Sequence, residues 1–166
     1  MTDNGLDQNY LKTLTVLYVE DDNDTREQFS EYLRHPVGTL ITAGNGAEGL
    51  EAFIKYAPDI VITDILMPLM DGLTMSCEIR GRNSQVPIIV LTAFEQAGYM
   101  MRAIDIGVHK YVTKPVNISL LLKCMHECAH RLRADEQLRF VHQQEVQALQ
   151  SKHHEAVVTL AGGLGH

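Results

Sequence analysis

The chain has no tryptophan, three cysteines and only five prolines in 166 residues. Aromatic residues make up 6% of it. Three cysteines (Cys77, Cys124 and Cys128) cannot form a full disulfide framework, and reduced thiols in a cytoplasm are the simpler expectation. No apolar run approaches the roughly 18–20 residues that a membrane span requires. The opening "MTDNGLDQNY" lacks the apolar centre of a signal peptide and reads as a polar N-terminal tail over residues 1–12. Basic residues are also scarce, 14 Lys and Arg against 21 Asp and Glu, for a net charge of −7. That balance argues against nucleic acid as a partner, because phosphate contacts need clustered Lys and Arg.

A different absence divides the chain. From Asn117 to Ala161, 45 residues pass without a glycine or a proline. A globular helix averages about 11–12 residues, so this run is far too long for an ordinary surface helix. Leu121, Leu122, Met125, Cys128 and Leu132 form one apolar stripe, and Leu138, Val141, Val146, Leu149, Ala156 and Leu160 form another. Steps of seven residues recur, and one of eleven joins Leu138 to Leu149, which is the grammar of a coiled coil with a stutter. Such a helix would be roughly 65 Å long. Its second stripe needs a partner, most simply a second copy of the chain in a homodimer.

Before that run the pattern is alternating. "TVLYV" (15–19), "IVIT" (60–63) and "IIVLT" (88–92) are nearly continuous β-branched and apolar runs, as strands buried on both faces of a parallel sheet read. "LITA" (40–43) and "KYVT" (110–113) are weaker strand candidates. Amphipathic stretches lie between, one carrying Phe29 and Leu33 on one face, another opening on Asn45 with Glu48 three residues later, like a capping box. Five strands alternating with helices predict a doubly wound α/β domain over residues 13–125, with a continuous helix over 126–161 and a glycine-rich end over 162–166.

Ligands of such a sheet bind at the carboxyl ends of its strands. Those ends carry Glu20-Asp21-Asp22, then Asp64, then Thr92, then Lys114-Pro115. Carboxylates gathered this closely repel one another unless a hard cation joins them, and an all-oxygen set with open positions suits Mg²⁺. A cation there favours phosphoryl transfer, with one acid as nucleophile, Lys114 as a mobile positive charge and Thr92 as a hydroxyl donor.

These residues stand within "VLYVEDDNDTRE", "DIVITDILMPLMDG", "IIVLTA" and "YVTKP", spaced 43, 28 and 22 residues apart from Asp21 through Asp64 and Thr92 to Lys114. In those motifs and spacings the chain resembles the receiver domains of two-component response regulators, from about Leu14 to Met125. The resemblance implies a flavodoxin-like sheet of order 2-1-3-4-5. It implies that Asp64 accepts a phosphoryl group from a histidine kinase or a histidine phosphotransfer domain. It implies Mg²⁺ held by Glu20, Asp21, Asp64 and the Leu66 backbone carbonyl, a switch formed by Thr92 and Tyr111, and a cis bond at Lys114-Pro115. Glu20 stands where many members have Asp. Aspartyl phosphatases of the haloacid dehalogenase type need a second acid two residues after the nucleophile; Leu66 stands there, so a lasting acyl phosphate fits better than rapid turnover.

Two further motifs compete for attention. "HECAH" (126–130) matches H-E-x-x-H, which on a helix sets two zinc ligands on one face. A third ligand is not evident, and His126 and His130 are expected to flank the apolar stripe on a solvated face. The closing "EAVVTLAGGLGH" resembles the histidine-containing box of histidine kinase dimerisation helices, which would make His166 a phosphoacceptor and the receiver the regulator of an attached kinase core. The alternative is a free-standing response regulator whose helical extension binds a partner protein. Nothing in the chain resembles a Walker-type or kinase glycine loop, so these residues by themselves are not expected to be an enzyme.

Overall fold

The computed structural model describes residues 4–93 and 97–163. The chain divides into two units, Met1–His130 and Arg131–His166. In the first, five parallel strands form one sheet: β1 (Thr15–Val19), β2 (Thr39–Ala43), β3 (Ile60–Asp64), β4 (Ile88–Thr92) and β5 (Lys110–Thr113), in the order β2-β1-β3-β4-β5. The helices are α1 (Asn4–Leu11), α2 (Asn23–Arg34), α3 (Gly46–Tyr56), α4 (Gly72–Arg82), α5 (Ala97–Ile106) and α6 (Ile118–Gly163). The doubly wound sheet and the long C-terminal helix agree with the expected fold.

The two most apolar strands after β1 lie in the middle of the sheet, and every residue of β3 and β4 is buried. Helices cover both faces of such a sheet, so neither face needs polar residues. On one face Leu17, Val19, Phe53, Val61, Met75, Ile79, Ile88 and Val90 form a single buried cluster. The edge strands β2 and β5 are the half-exposed ones, which is why they read weakly in the sequence.

Local chemistry sets the helix starts. Asp22 caps α2 by accepting from the Thr25 amide, Asn45 caps α3 by accepting from Glu48, and Asp71 caps α4 by accepting from Thr74. Each side chain satisfies an amide that the first helical turn leaves without a partner. The capping box read at Asn45 is present in a displaced form: Glu48 reaches back to the Gly44 amide at 3.1 Å.

Residues read as a polar tail instead contain α1. Leu11 at its end is fully buried, and Asp7 is nearly so. Asp7 Oδ2 lies 3.0 Å from Nδ1 of His130 on α6. Three hydrophobic residues among the first ten were too few to announce this helix; it exists because Leu11 enters the core and Asp7 finds a partner distant in sequence.

The start of α6 supplies Leu121, Cys124, Met125, Cys128 and Ala129 to the core of the first unit. In the second unit Leu138, Phe140, Val141 and Leu149 are exposed. No helix among the described residues is long and apolar enough to cross a membrane.

Candidate functional site

The carboxyl edge of the sheet assembles the residues singled out above. β1 ends at Val19, so Glu20 and Asp21 emerge directly from the strand, and Asp64 is the last residue of β3. One carboxylate oxygen from each of Glu20, Asp21 and Asp64 lies within 4.8 Å of the others. Burial differs sharply among them: Glu20 is 3% exposed and Asp64 8%, whereas Asp21 faces solvent.

Asp64 is held on both oxygens. Oδ1 accepts from the Ile65 amide at 2.8 Å, and Oδ2 accepts from Lys114 Nζ at 2.6 Å. Lys114 comes from the loop after β5, and its backbone amide donates to the Thr92 carbonyl at 2.8 Å, which ties the end of β5 to the end of β4. The Lys114–Pro115 bond is cis, as the resemblance implied. Gly72, the first residue of α4, passes so close to Asp64 that an added Cβ would lie 1.8 Å from the Asp64 carbonyl oxygen. Only glycine fits that approach, and it lets the Gly72 amide donate to the Ile65 carbonyl at 2.7 Å.

Glu20 is held under electrostatic strain. Burial, then the Asp64 carboxylate, raise its pKa from 4.5 to about 7, against the opposing pull of the Asp22 amide and Lys114. Its Oε1 accepts from the Asp22 amide at 3.2 Å, while its Oε2 is buried without a hydrogen-bond partner. A residue with a buried carboxylate oxygen that binds nothing, clustered with two further acids, is a donor set that a hard cation satisfies. The residues present therefore fit Mg²⁺.

Thr92 is buried, and its hydroxyl donates to the Ala93 carbonyl at 3.2 Å. The Tyr111 hydroxyl donates to the Met100 carbonyl of α5 at 2.9 Å. The two side chains thus stand on neighbouring strands, each occupied with a different carbonyl. Leu66 follows Asp64 by two residues, and its side chain is exposed.

The HECAH segment lies in α6 but forms no metal cluster; among the described residues the one group of acids, histidines or thiols close enough to hold an ion is Glu20, Asp21 and Asp64. The expected solvated flank holds for His130, whose side chain is 52% exposed, and needs correcting for His126. His126 is half-buried with a buried Nδ1, and His130, at the surface, is engaged by Asp7 of α1. Cys128, between them, is buried in the core. His166 lies outside the described residues.

Sequence reasoning missed the supporting residues. Asp59 Oδ2 accepts from the Thr15 amide at 2.8 Å and Arg26 donates to the Glu20 carbonyl at 2.7 Å, so both anchor β1 behind the acids. The Asp59 contact spans 44 residues of sequence, which no local pattern marks.

Comparison with known proteins agrees with this geometry. Residues 16–126 match the family described as the response regulator receiver domain. The transcriptional regulatory protein PdtaR of Mycobacterium tuberculosis is 37% identical over 119 residues, covering 71% of this chain and 58% of that protein. A cyclic di-GMP phosphodiesterase of Thermotoga maritima is 32% identical over 120 residues, covering 72% of this chain and 32% of that protein. The chain thus spans between about a third and a little over half of the curated relatives it matches. Among solved structures, the N-terminal domain of an uncharacterized protein from Wolinella succinogenes superposes with a TM-score of 0.70 at 36% identity, covering 74% of this chain and 99% of that one. The receiver domain of a signal transduction histidine kinase from Syntrophus aciditrophicus superposes with a TM-score of 0.65 at 25% identity, covering 71% and 91%. With the sheet order, the acidic cluster and the match over residues 16–126 in agreement, the chain belongs to the response regulator receiver domain family.

Proposed function

We propose that this chain is the phosphoacceptor module of a cytoplasmic phosphorelay, and that Asp64 is the residue phosphorylated. The carrying observation is the convergence of Glu20, Asp21 and Asp64 within 4.8 Å, with Lys114 Nζ 2.6 Å from Asp64. An Asp64 carboxylate oxygen attacks the phosphorus of a phosphohistidine on a histidine kinase or a histidine phosphotransfer domain. A P–O bond forms as the P–N bond breaks, and the electron pair leaves on the imidazole nitrogen. The Ile65 amide and Lys114 hold the carboxylate in place, and Lys114 then offers its charge to a phosphoryl oxygen. Glu20, Asp21 and Asp64, with the Leu66 carbonyl, are the ligands that would hold Mg²⁺, which neutralises phosphoryl charge when bound. With Leu66 rather than an acid two residues after Asp64, the side chain there cannot activate a water, which favours a lasting acyl phosphate.

For the output, Thr92 and Tyr111 form the switch. Thr92 releases the Ala93 carbonyl for a phosphoryl oxygen, and Tyr111 exchanges its Met100 contact for an inward position. The change passes to α6, which pairs with a second copy in a homodimer and regulates a histidine kinase core that follows it. The exposed Leu138, Val141 and Leu149 support a partner helix, and the likeness to a receiver domain from a histidine kinase supports the kinase linkage.

Acetyl phosphate, or beryllium fluoride as a phosphoryl mimic, with Mg²⁺ tests the assignment. Wild type is modified at one site and Asp64→Ala is not. Equal modification of the two overturns the assignment of Asp64.

A further inference from the structure

The step from Leu138 to Leu149 is occupied between its ends. It divides into steps of four, three and four through Leu138, His142, Glu145 and Leu149. Residues three and four apart share one face of a helix, and alternating threes and fours mark the core positions of a coiled coil. His142 and Glu145 therefore stand within the apolar stripe of α6, each about one turn from a leucine, and all four residues are exposed. The next positions of the series are Lys152 and Ala156. Lysine tolerates such a place because its stem is apolar and its ammonium reaches solvent. Histidine and glutamate are shorter, and a carboxylate shut away from water is costly unless its charge is met.

Pairing with a second copy gives that charge a partner. In a parallel pair of helices, equal core positions face one another across the seam. The layer of two His142 rings then lies about 4.5 Å along the axis from the layer of two Glu145 carboxylates, with a leucine layer beyond each. Two neutral imidazoles and two carboxylates leave a doubly negative charge between the helices, which a divalent cation cancels. Imidazole nitrogens and carboxylate oxygens, two ligands from each helix, match in number and kind the tetrahedral set that Zn²⁺ takes. Ligands three residues apart on facing helices are a recurrent way of building a metal site between them. One chain supplies only two of the four, so the set is incomplete without the copy. Within a single chain, among the described residues, the one group of three or more close enough to hold an ion is Glu20, Asp21 and Asp64. We propose that α6 carries a second metal site, completed by a second copy of the chain: His142 and Glu145 of both copies hold one divalent ion of the Zn²⁺ kind and fix the pair in parallel register. The inference rests on the reading of α6 as the dimer helix.

Sedimentation equilibrium of the full chain in EDTA and in Zn²⁺ tests this, with Glu145→Gln and His142→Ala beside wild type. Free Zn²⁺ at about 100 times its dissociation constant is expected to tighten wild-type dimerisation roughly a hundredfold, because an ion bound by the pair and not by the single chain shifts the equilibrium by mass action. Glu145→Gln should act in opposite directions in the two conditions. In EDTA its dimer is tighter than that of wild type, since a layer of like charges is relieved, and in Zn²⁺ it gains nothing. His142→Ala also loses the response. Co²⁺ in place of Zn²⁺ gives an independent reading: one ion per two chains, with the strong visible absorption of tetrahedral coordination, absent from both variants. Wild type that dimerises equally in EDTA and in Zn²⁺ overturns the metal site and leaves the dimer reading standing. A Zn²⁺ response kept by either variant also overturns it, since the ion would then act elsewhere. Wild type that is monomeric in both conditions overturns the dimer reading and this inference together.

Discussion

Glu20 is the residue at which folding and function pull apart. A carboxylate ordinarily ionised below pH 5 is held here at a pKa of about 7 by burial and by Asp64. The folded metal-free chain therefore keeps a proton that the unfolded chain has released. Between about pH 4.5 and pH 7 the folded state binds more protons, so the contribution of Glu20 to stability is full below that window and is lost as pH rises through it. Glu20→Gln, which cannot ionise, should raise the metal-free melting temperature by on the order of 5 °C at pH 8 and by much less at pH 5. Calorimetry at the two pH values checks this, and a pH-independent gain would contradict the assigned cause. Lys114 gives a second prediction. Its ammonium sits 2.6 Å from Asp64, where it competes with any cation for the same carboxylate. Lys114→Ala should tighten Mg²⁺ binding roughly two- to fivefold, since a like charge has been removed from a partly exposed site. Titration calorimetry reads the sign directly.

Elements explain why the site is where it is. β1 and β3 are adjacent in the sheet, with Val19 in register with Thr63. The next residues along, Glu20 and Asp64, are therefore brought side by side. The cap of α3 also matters to the frame: Asn45 is 8% exposed and its side chain binds the Glu48 amide at 2.9 Å. Asn45→Ala should cost about 1 kcal/mol, as lost N-caps do, measurable by urea unfolding. α1 is the element with the least local signature and a large structural role. Leu11 is fully buried, so Leu11→Ala should destabilise the first unit by about 2–5 kcal/mol. A loss below about 0.5 kcal/mol in the same measurement would mean that α1 is dispensable.

At the scale of the whole molecule, the boundary within α6 decides which experiments are informative. Cys124, Met125, Cys128 and Ala129 belong to the core of the first unit, so a cut after Lys123 would open that core. A chain ending at His130 keeps it intact and retains the contact with Asp7. If the exposed apolar residues of Arg131–His166 hold the proposed homodimer together, this shorter chain is monomeric by light scattering while the full chain is dimeric. A shorter chain that remained dimeric would move the interface to the first unit.

Much of this protein is legible in its sequence. β1, β3 and β4 stand out as nearly continuous apolar runs because parallel strands covered on both faces have no room for polar residues, whereas the half-exposed edges β2 and β5 read weakly. Asp64, Lys114 and Thr92 were legible because strand ends are where an open sheet presents chemistry, and their spacing matches a family that uses it. The length of α6 followed from 45 residues without a helix breaker. What only the tertiary structure decided are the contacts between residues far apart in the chain. The burial of Asp7 against His130, 123 residues away, turned a polar tail into a helix and gave a metal-like motif an ordinary structural role. The approach of Gly72 to Asp64 and the unpaired oxygens of Tyr18 and Glu20 have no local pattern at all. Hydrophobic periodicity is a property of neighbours along the chain. Hydrogen-bond satisfaction is a property of neighbours in space, and only the folded arrangement decides which buried polar atoms find a partner.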